Sequence, residues 1–236
     1  MTRTVRREPS HVRIAKQLGV AIVTGELPSG SFLPGEIELS GQFDVSRSVM
    51  RESLRILVSK GLLQSRPKAG THVTARRDWN LLDPTLLFWM FEGVPPRSFV
   101  RDLFQLRMIV EPAAAELAAG ARTARQLSHM GHALERMGEL GLRDEAGQLA
   151  DRDFHDGLLQ ATHNELLVNL SASIAAAVHW TTYFKYRSNR TYSDPMPLHR
   201  NLYEAIADRD GPAARASATA LIDQARIDTE AALSPP

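Results

Sequence analysis

The sequence predicts a mainly α fold in two parts, an N-terminal winged helix-turn-helix followed by an all-helical antiparallel bundle. Residues 34–74 read as two helices, a tight turn and a small hairpin. From Arg97 onward the pattern is a run of helices over roughly 97–119, 123–139, 144–161, 164–186, 197–208 and 212–232, separated by Gly, Asn, Pro or Asp, with no convincing strand. Charge is also segregated: residues 1–77 hold 13 Lys/Arg against 6 Asp/Glu, a net of +7, and residues 78–236 hold 15 against 21, a net of −6, in a chain whose net charge is +1. The spacing divides the chain into a winged helix-turn-helix over 1–77, a linker with a short helix over 78–96, and a helical domain over 97–236.

The second helix of the first part, Ser46 to Lys60, carries the pattern. At about 100° per residue, Arg47, Ser48, Arg51, Glu52 and Arg55 share one arc and Val49, Met50, Leu54, Ile56 and Leu57 the other. One arc packs and the other is free to enter a groove. Ser46 is a good N-cap, so the helix starts where Ser46, Arg47 and Ser48 would meet base edges. The planar fork of an arginine can donate two hydrogen bonds to guanine, a contact that discriminates by about 1–3 kcal/mol. Arg51, one turn on, could read a base or hold a phosphate. After Gly61, Leu62 to Arg66, the turn Pro67-Lys68-Ala69-Gly70 and Thr71 to Thr74 give strand, turn and strand, placing Lys68 against the backbone or minor groove of DNA. An ordinary amphipathic helix with a solvated basic face would account for the middle helix alone. The flanking elements and the +7 segment favour phosphate affinity instead.

In the segment 78–96, Asp83-Pro84 marks a turn that caps a short helix over Thr85 to Phe91, and Gly93-Val94-Pro95-Pro96 breaks the chain again. Trp79, Leu82, Leu86, Leu87, Phe88, Trp89 and Phe91 are too apolar for a free linker and should dock onto one of the domains. Short connections between the later helices favour an antiparallel bundle, and Pro112 falls inside the first of them.

Within that bundle Asp151 and His155 are four residues apart and project from one helix face, and His199 could join them from a later helix. Such a set could hold a divalent ion, which opens an alternative class: a metal-dependent hydrolase using Asp151, His155 and His199. No Gly-x-Ser-x-Gly nucleophile or phosphate loop accompanies it, and an enzyme has no need of a basic winged helix.

Composition sets the outer bounds. The chain has 236 residues, 43% of them hydrophobic, enough for two modest cores. It has no cysteine, which excludes disulfides and thiolate metal sites, and no run of 18 apolar residues. A cytoplasmic protein without a membrane segment is expected. The basic, polar first nine residues are expected to order only on DNA.

Three stretches give the chain a family resemblance. LPGE at 33–36, VSRSVMRESLRILVSKGLL at 45–63 and GTHV at 70–73 resemble the reader domain of GntR-type bacterial transcription regulators. The resemblance implies that Arg47, Ser48 and Arg51 lie in the major groove and that Lys68 to Gly70 form the wing. It also implies a homodimer reading a palindromic operator in double-stranded DNA. Ile37 departs from the pattern, since many members carry an arginine there.

FQLRMIVEPAAAELAA at 104–119, DRDFHDGLLQATHN at 151–164 and LHRNLYEAIADRDGPAARA at 198–216 resemble the helical FCD effector domain of the fatty-acid-regulator branch. DWNLLDPTLLFWM at 78–90 is similar to repressors of galactonate and related sugar-acid catabolism. Many FCD domains hold a divalent metal such as zinc with one aspartate and three histidines. Asp151, His155 and His199 match three of these, and the fourth falls on Leu221, which cannot ligate; His163 and His179 are substitutes that the spacing does not favour.

For a small carboxylate effector, a sugar acid first, the resemblance points to Arg107 as the carboxylate partner. An Arg107–Glu111 surface salt bridge is the alternative. Tyr183, Lys185, Tyr186 and Arg187 sit at a helix end that could close the pocket, Tyr186 being the favoured contact, or could equally be solvated. Effector binding is expected to relieve repression.

Overall fold

The computed structural model describes residues 8–66, 70–188 and 190–233, with two compact units, Met1–Gly93 and Val94–Pro236. Lys68, most of the wing turn and the first seven residues, of the basic N-terminal stretch, lie outside the described residues.

The first unit begins with a helix that the sequence reading passed over, α1 (Ser10–Val23). Its Ile14, Leu18 and Ile22, one turn apart, are buried against α3 (Arg47–Ser59) and α4 (Pro84–Glu92). Gly19 lets the ring of Trp89 lie directly on the α1 backbone, where a Cβ would collide with it. Helix α2 (Glu36–Gln42) leads into α3, which is capped by the Ser46 hydroxyl accepting from the Val49 amide at 3.4 Å and buries Met50, Ser53 and Leu57.

Gly61 ends the helix at φ +75°, and a Cβ there would run into the carbonyl oxygen of Asp78. Strands β1 (Leu63–Arg66) and β2 (Gly70–Val73) pair antiparallel, Leu63 opposite Val73 and Arg66 opposite Gly70. Phe32 extends the ribbon by one bridge to His72.

The segment set apart as a linker is built into this first unit. The Asp83 carboxylate caps α4 by accepting from the Thr85 and Leu86 amides, both at 2.9 Å, and takes the Lys60 ammonium at 2.7 Å. Lys60 follows the last residue of α3, so one carboxylate ties the end of α3 to the start of α4. Leu86, Leu87, Trp89, Met90 and Phe91 are buried, whereas Leu82 stays exposed. The unit ends at Gly93, before the two prolines.

The second unit holds α5 (Arg97–Ala121), α6 (Ala124–Leu140), α7 (Glu145–Gln160), α8 (Glu165–Arg187), α9 (Met196–Ala207) and α10 (Gly211–Ala232). Short polar side chains start most of them: Thr123 in a capping box with Gln126, Asp144, Asn164 and Asp210 each accept from amides of the first turn. Helix α5 runs on through Pro112. Ala114, Ala115 and Ala118 of α5 and Ala214 and Ala218 of α10 are buried, allowing the close packing of these two helices. Phe154, Leu158, Ile174, Leu202 and Ile206 fill the middle of the unit. Among the described residues no helix is long and apolar enough to cross a membrane.

Candidate functional site

The surface that the sequence analysis assigns to DNA sits at the start of α3. The hydroxyls of Ser46 and Ser48 lie 2.9 Å apart, and the Arg47 and Arg51 side chains are 63% and 54% exposed. Both arginines lean on Glu36, the first residue of α2. Arg51 donates through Nη2 to Oε1 at 2.9 Å and through Nε to Oε2 at 3.3 Å, and Arg47 Nε is 3.8 Å from Oε1. The Arg51 hydrogen bond holds the Glu36 carboxyl below its ordinary pKa and raises that of the guanidinium. Glu36 therefore orients the Arg51 fork, a role that the sequence analysis did not assign. Ile37 beside it is 69% exposed. Gly70, exposed at φ +86°, opens β2, and Lys68 lies outside the described residues.

Inside the helical unit, α5, α7, α8, α9 and α10 enclose a cavity with about 20 Å³ open to a water-sized sphere. Helical spacing assembles its polar lining: Asp151 and His155 from α7, Thr182 and Lys185 from α8, and Gln224 and Asp228 from α10. His199 of α9 and Arg107 of α5 complete it.

Asp151, His155 and His199, predicted as a set, are brought together: one ligand atom from each lies within 4.8 Å of the others, and all three are buried. Each imidazole is oriented from behind. His155 Nδ1 is 2.6 Å from Glu111 Oε2, and His199 Nδ1 is 3.0 Å from the Pro195 carbonyl oxygen. Both partners only accept, so both Nδ1 atoms carry protons. Both Nε2 atoms then turn to Asp151 Oδ1, at 3.6 and 3.0 Å, while Asp151 Oδ2 accepts from the Thr182 hydroxyl at 3.0 Å. Neutral rings in that tautomer would aim lone pairs at a carboxylate oxygen. A second ring proton or a cation between them removes the conflict. Rings fixed by carboxylate and carbonyl acceptors, with Nε2 converging on a carboxylate, are the arrangement that ligating histidines adopt, so the three residues fit a divalent cation.

Burial would raise the Asp151 pKa, but the hydrogen bond and charge of His199 hold it far below the ordinary range. Leu221 lines the cavity, so the fourth position of the set is an apolar side chain here, and His163 and His179 are not in the cluster.

Arg107 and Glu111 do pair, Nε to Oε1 at 2.6 Å, yet the pair is 2% and 1% exposed: it is not on the surface, and Arg107 lines the cavity. Tyr186 does not line it. Its ring lies 4.7 Å from the Lys185 ammonium, and with Tyr192 it borders a separate surface depression. Burial and then the charges of Asp151 and Asp228 push its hydroxyl up to about 12. Tyr183 and Arg187 stay exposed, the guanidinium 5.6 Å from the ring. Of the four helix-end residues, Lys185, one residue from Tyr186 and about 100° round the helix, is the one that reaches inside. It ion-pairs with Asp228 at 3.4 Å, and Gln224 donates to the other Asp228 oxygen at 2.8 Å.

The profile of the gntR family of bacterial regulatory proteins matches residues 11–73, from α1 to β2, and that of the FCD domain matches residues 102–224. The galactonate operon transcriptional repressor of Escherichia coli K12 is 34% identical over 213 residues, covering 89% of this chain and 92% of that protein. This chain belongs to the GntR family, with an FCD domain. A second relative, the uncharacterized HTH-type transcriptional regulator YieP of the same strain, is 33% identical over 211 residues, 89% of this chain and 90% of that protein. The solved structure of Lar, described as controlling the expression of the Listeria monocytogenes agr system, superposes with a TM-score of 0.66 at 18% identity, covering 98% of this chain and 99% of that one, and shows the same fold. The protein is thus a ligand-responsive DNA-binding transcription regulator and not an enzyme, and the hydrolase alternative is not favoured.

Proposed function

We propose that this GntR regulator represses an operon for catabolism of a sugar acid or another small carboxylate, and that the effector releases it from its operator. The observation that carries the reading is the charged cavity inside the FCD unit. Arg107, Asp151, His155, Lys185, His199 and Asp228 are all at least nine-tenths buried around one small space. Taking that many ionisable groups out of water is costly even where they pair with one another, which favours a retained role in binding a polar ligand. The likeness to a galactonate operon repressor favours an aldonate.

Arg107 takes the effector carboxylate, with Asp151, His155 and His199 beside it. Tyr186 acts at one remove, by flanking Lys185. A divalent ion such as zinc would be held by Asp151, His155 and His199 and would supply positive charge for the same carboxylate. Leu221 leaves its remaining positions to water or effector.

On the DNA side, Ser46, Arg47, Ser48 and Arg51 contact the major groove, and Lys68 and Gly70 the wing contacts. Two copies in a cytoplasmic homodimer read a palindrome.

The cavity as it stands has room for about one water molecule. A sugar acid therefore enters only a more open arrangement of the helices. Because it binds the open state and not the closed one, it shifts the population towards the open state, and release follows if that state fits the operator less well. A thermal-shift screen of EDTA-treated protein against sugar acids, short hydroxy acids and fatty acyl compounds, each with and without zinc, tests the reading. Stabilisation by an aldonate is the expected result, and stabilisation only by a fatty acyl compound overturns the effector assignment.

A further inference from the structure

The Lys185–Asp228 pair joins α8 to α10 on the wall of the same cavity, and neither residue belongs to the Asp151–His155–His199 cluster. Lys185 is 4% and Asp228 6% exposed. A buried ion pair of this kind contributes little stability compared with apolar side chains of similar size. The pair is also imperfect. The Nζ to Oδ2 distance of 3.4 Å is long for a charge-assisted bond, while Oδ1 is satisfied by Gln224 at 2.8 Å. Burial lowers the Lys185 pKa, and the Asp228 charge beside it only partly offsets that. Between them is a donor and an acceptor facing one cavity, with apolar Leu221 and Ala225 alongside.

We infer that Lys185 and Asp228 form a specificity-determining subsite that takes the hydroxyl end of a polyhydroxylated monocarboxylate and rejects a second carboxylate. This rests on the sugar-acid reading above and adds to it which sugar acids are admitted. An alcohol hydroxyl suits the pair in both directions, because it donates to Asp228 Oδ2 and accepts from Lys185. A carboxylate in the same place has no proton to donate and meets the Asp228 charge in a desolvated site. A ligand end with no hydroxyl leaves two buried polar groups unmatched, the situation in which polar sites discriminate most strongly.

The test compares galactonate, galactarate and 6-deoxygalactonate, which differ only at the far terminus: hydroxymethyl, carboxylate and methyl. Calorimetric titration of the full-length protein, zinc present throughout, is expected to give at least tenfold weaker binding for both galactarate and 6-deoxygalactonate than for galactonate. Asp228→Asn removes the charge at constant shape and is expected to bring galactarate within about threefold of galactonate. The wild-type comparison of galactonate with its 6-deoxy analogue stands even if that variant fails to fold. Equal binding of the three acids by the wild type, or an Asp228→Asn variant that folds and keeps the tenfold exclusion of galactarate, overturns the subsite. Failure of the wild type to bind any of the three overturns the sugar-acid reading itself, and the subsite with it.

Discussion

Glu111→Gln should destabilise the FCD unit by several kcal/mol, and the amount follows from its surroundings. Glu111 is 1% exposed, with Oε1 2.6 Å from Arg107 Nε and Oε2 2.6 Å from His155 Nδ1. Burial alone would raise the carboxyl pKa; the charges of Arg107 and then His155 override it and hold the group at about 2, against 4.5 ordinarily. That gap corresponds to about 3 kcal/mol of preference for the ionised group in the folded state. Removing one partner of a buried pair costs a similar amount, about 3–5 kcal/mol, because Arg107 is left buried and unmatched.

At about 2–4 °C per kcal/mol for a unit of this size, the unfolding midpoint should fall by about 6–12 °C. The sign with pH follows from the lowered folded-state value. The contribution is fully present above about pH 4.5 and is lost as the pH falls through about 2, so the gap between wild type and variant narrows in acid. Thermal unfolding of EDTA-treated protein at pH 7 and again near pH 3.5 reads both effects. A midpoint change under 2 °C, or a gap that does not narrow, would refute the claim that Glu111 is the buried anchor of Arg107 and His155.

Further expectations concern the reader and the cation set. Arg47→Ala with Arg51→Ala should abolish sequence-specific DNA binding in gel shifts while the circular dichroism spectrum stays unchanged; retained specificity would mean that α3 is not the reader. Gly61→Ala, forced to φ +75° with its methyl against the Asp78 carbonyl, should cost more than about 2 kcal/mol in denaturant unfolding. A loss below about 0.5 kcal/mol would show that the turn relaxes freely. Leu221→His places an imidazole in the cavity wall beside Asp151, His155 and His199 and should tighten zinc binding at least tenfold in competition with a chelating dye. Unchanged affinity would show that Leu221 does not face the cation position.

The helices of the FCD unit were legible because each polar start, Thr123, Asp144, Asn164 and Asp210, precedes a clean apolar stripe. Helix α1 was missed although Ile14, Leu18 and Ile22 recur every four residues, since its N-cap is Pro9 and no side chain announces the start. The four-residue spacing of Asp151 and His155 survives folding because one helix carries both, and His199 joined them as expected. What sequence could not supply was the rotation of a helix about its axis. Tyr186 and Lys185 are adjacent, and only packing of α8 against α7 and α10 decides that the lysine turns inward. Gln224 and Asp228 look like surface residues of a terminal helix until they are counted three and seven from Leu221. Glu36 likewise reads as a helix-start acid, and its hold on Arg51 spans 15 residues.

The central claim is that a small carboxylate in the FCD cavity weakens the grip of the reader on DNA. Its most direct test is fluorescence anisotropy of the full-length protein on an operator obtained by in vitro selection, titrated with galactonate, with Arg107→Met as the comparison. The account predicts that galactonate raises the operator Kd of the wild type at least tenfold and leaves the Arg107→Met complex unaffected. Release of both proteins by the same galactonate concentration, or of neither, would contradict it.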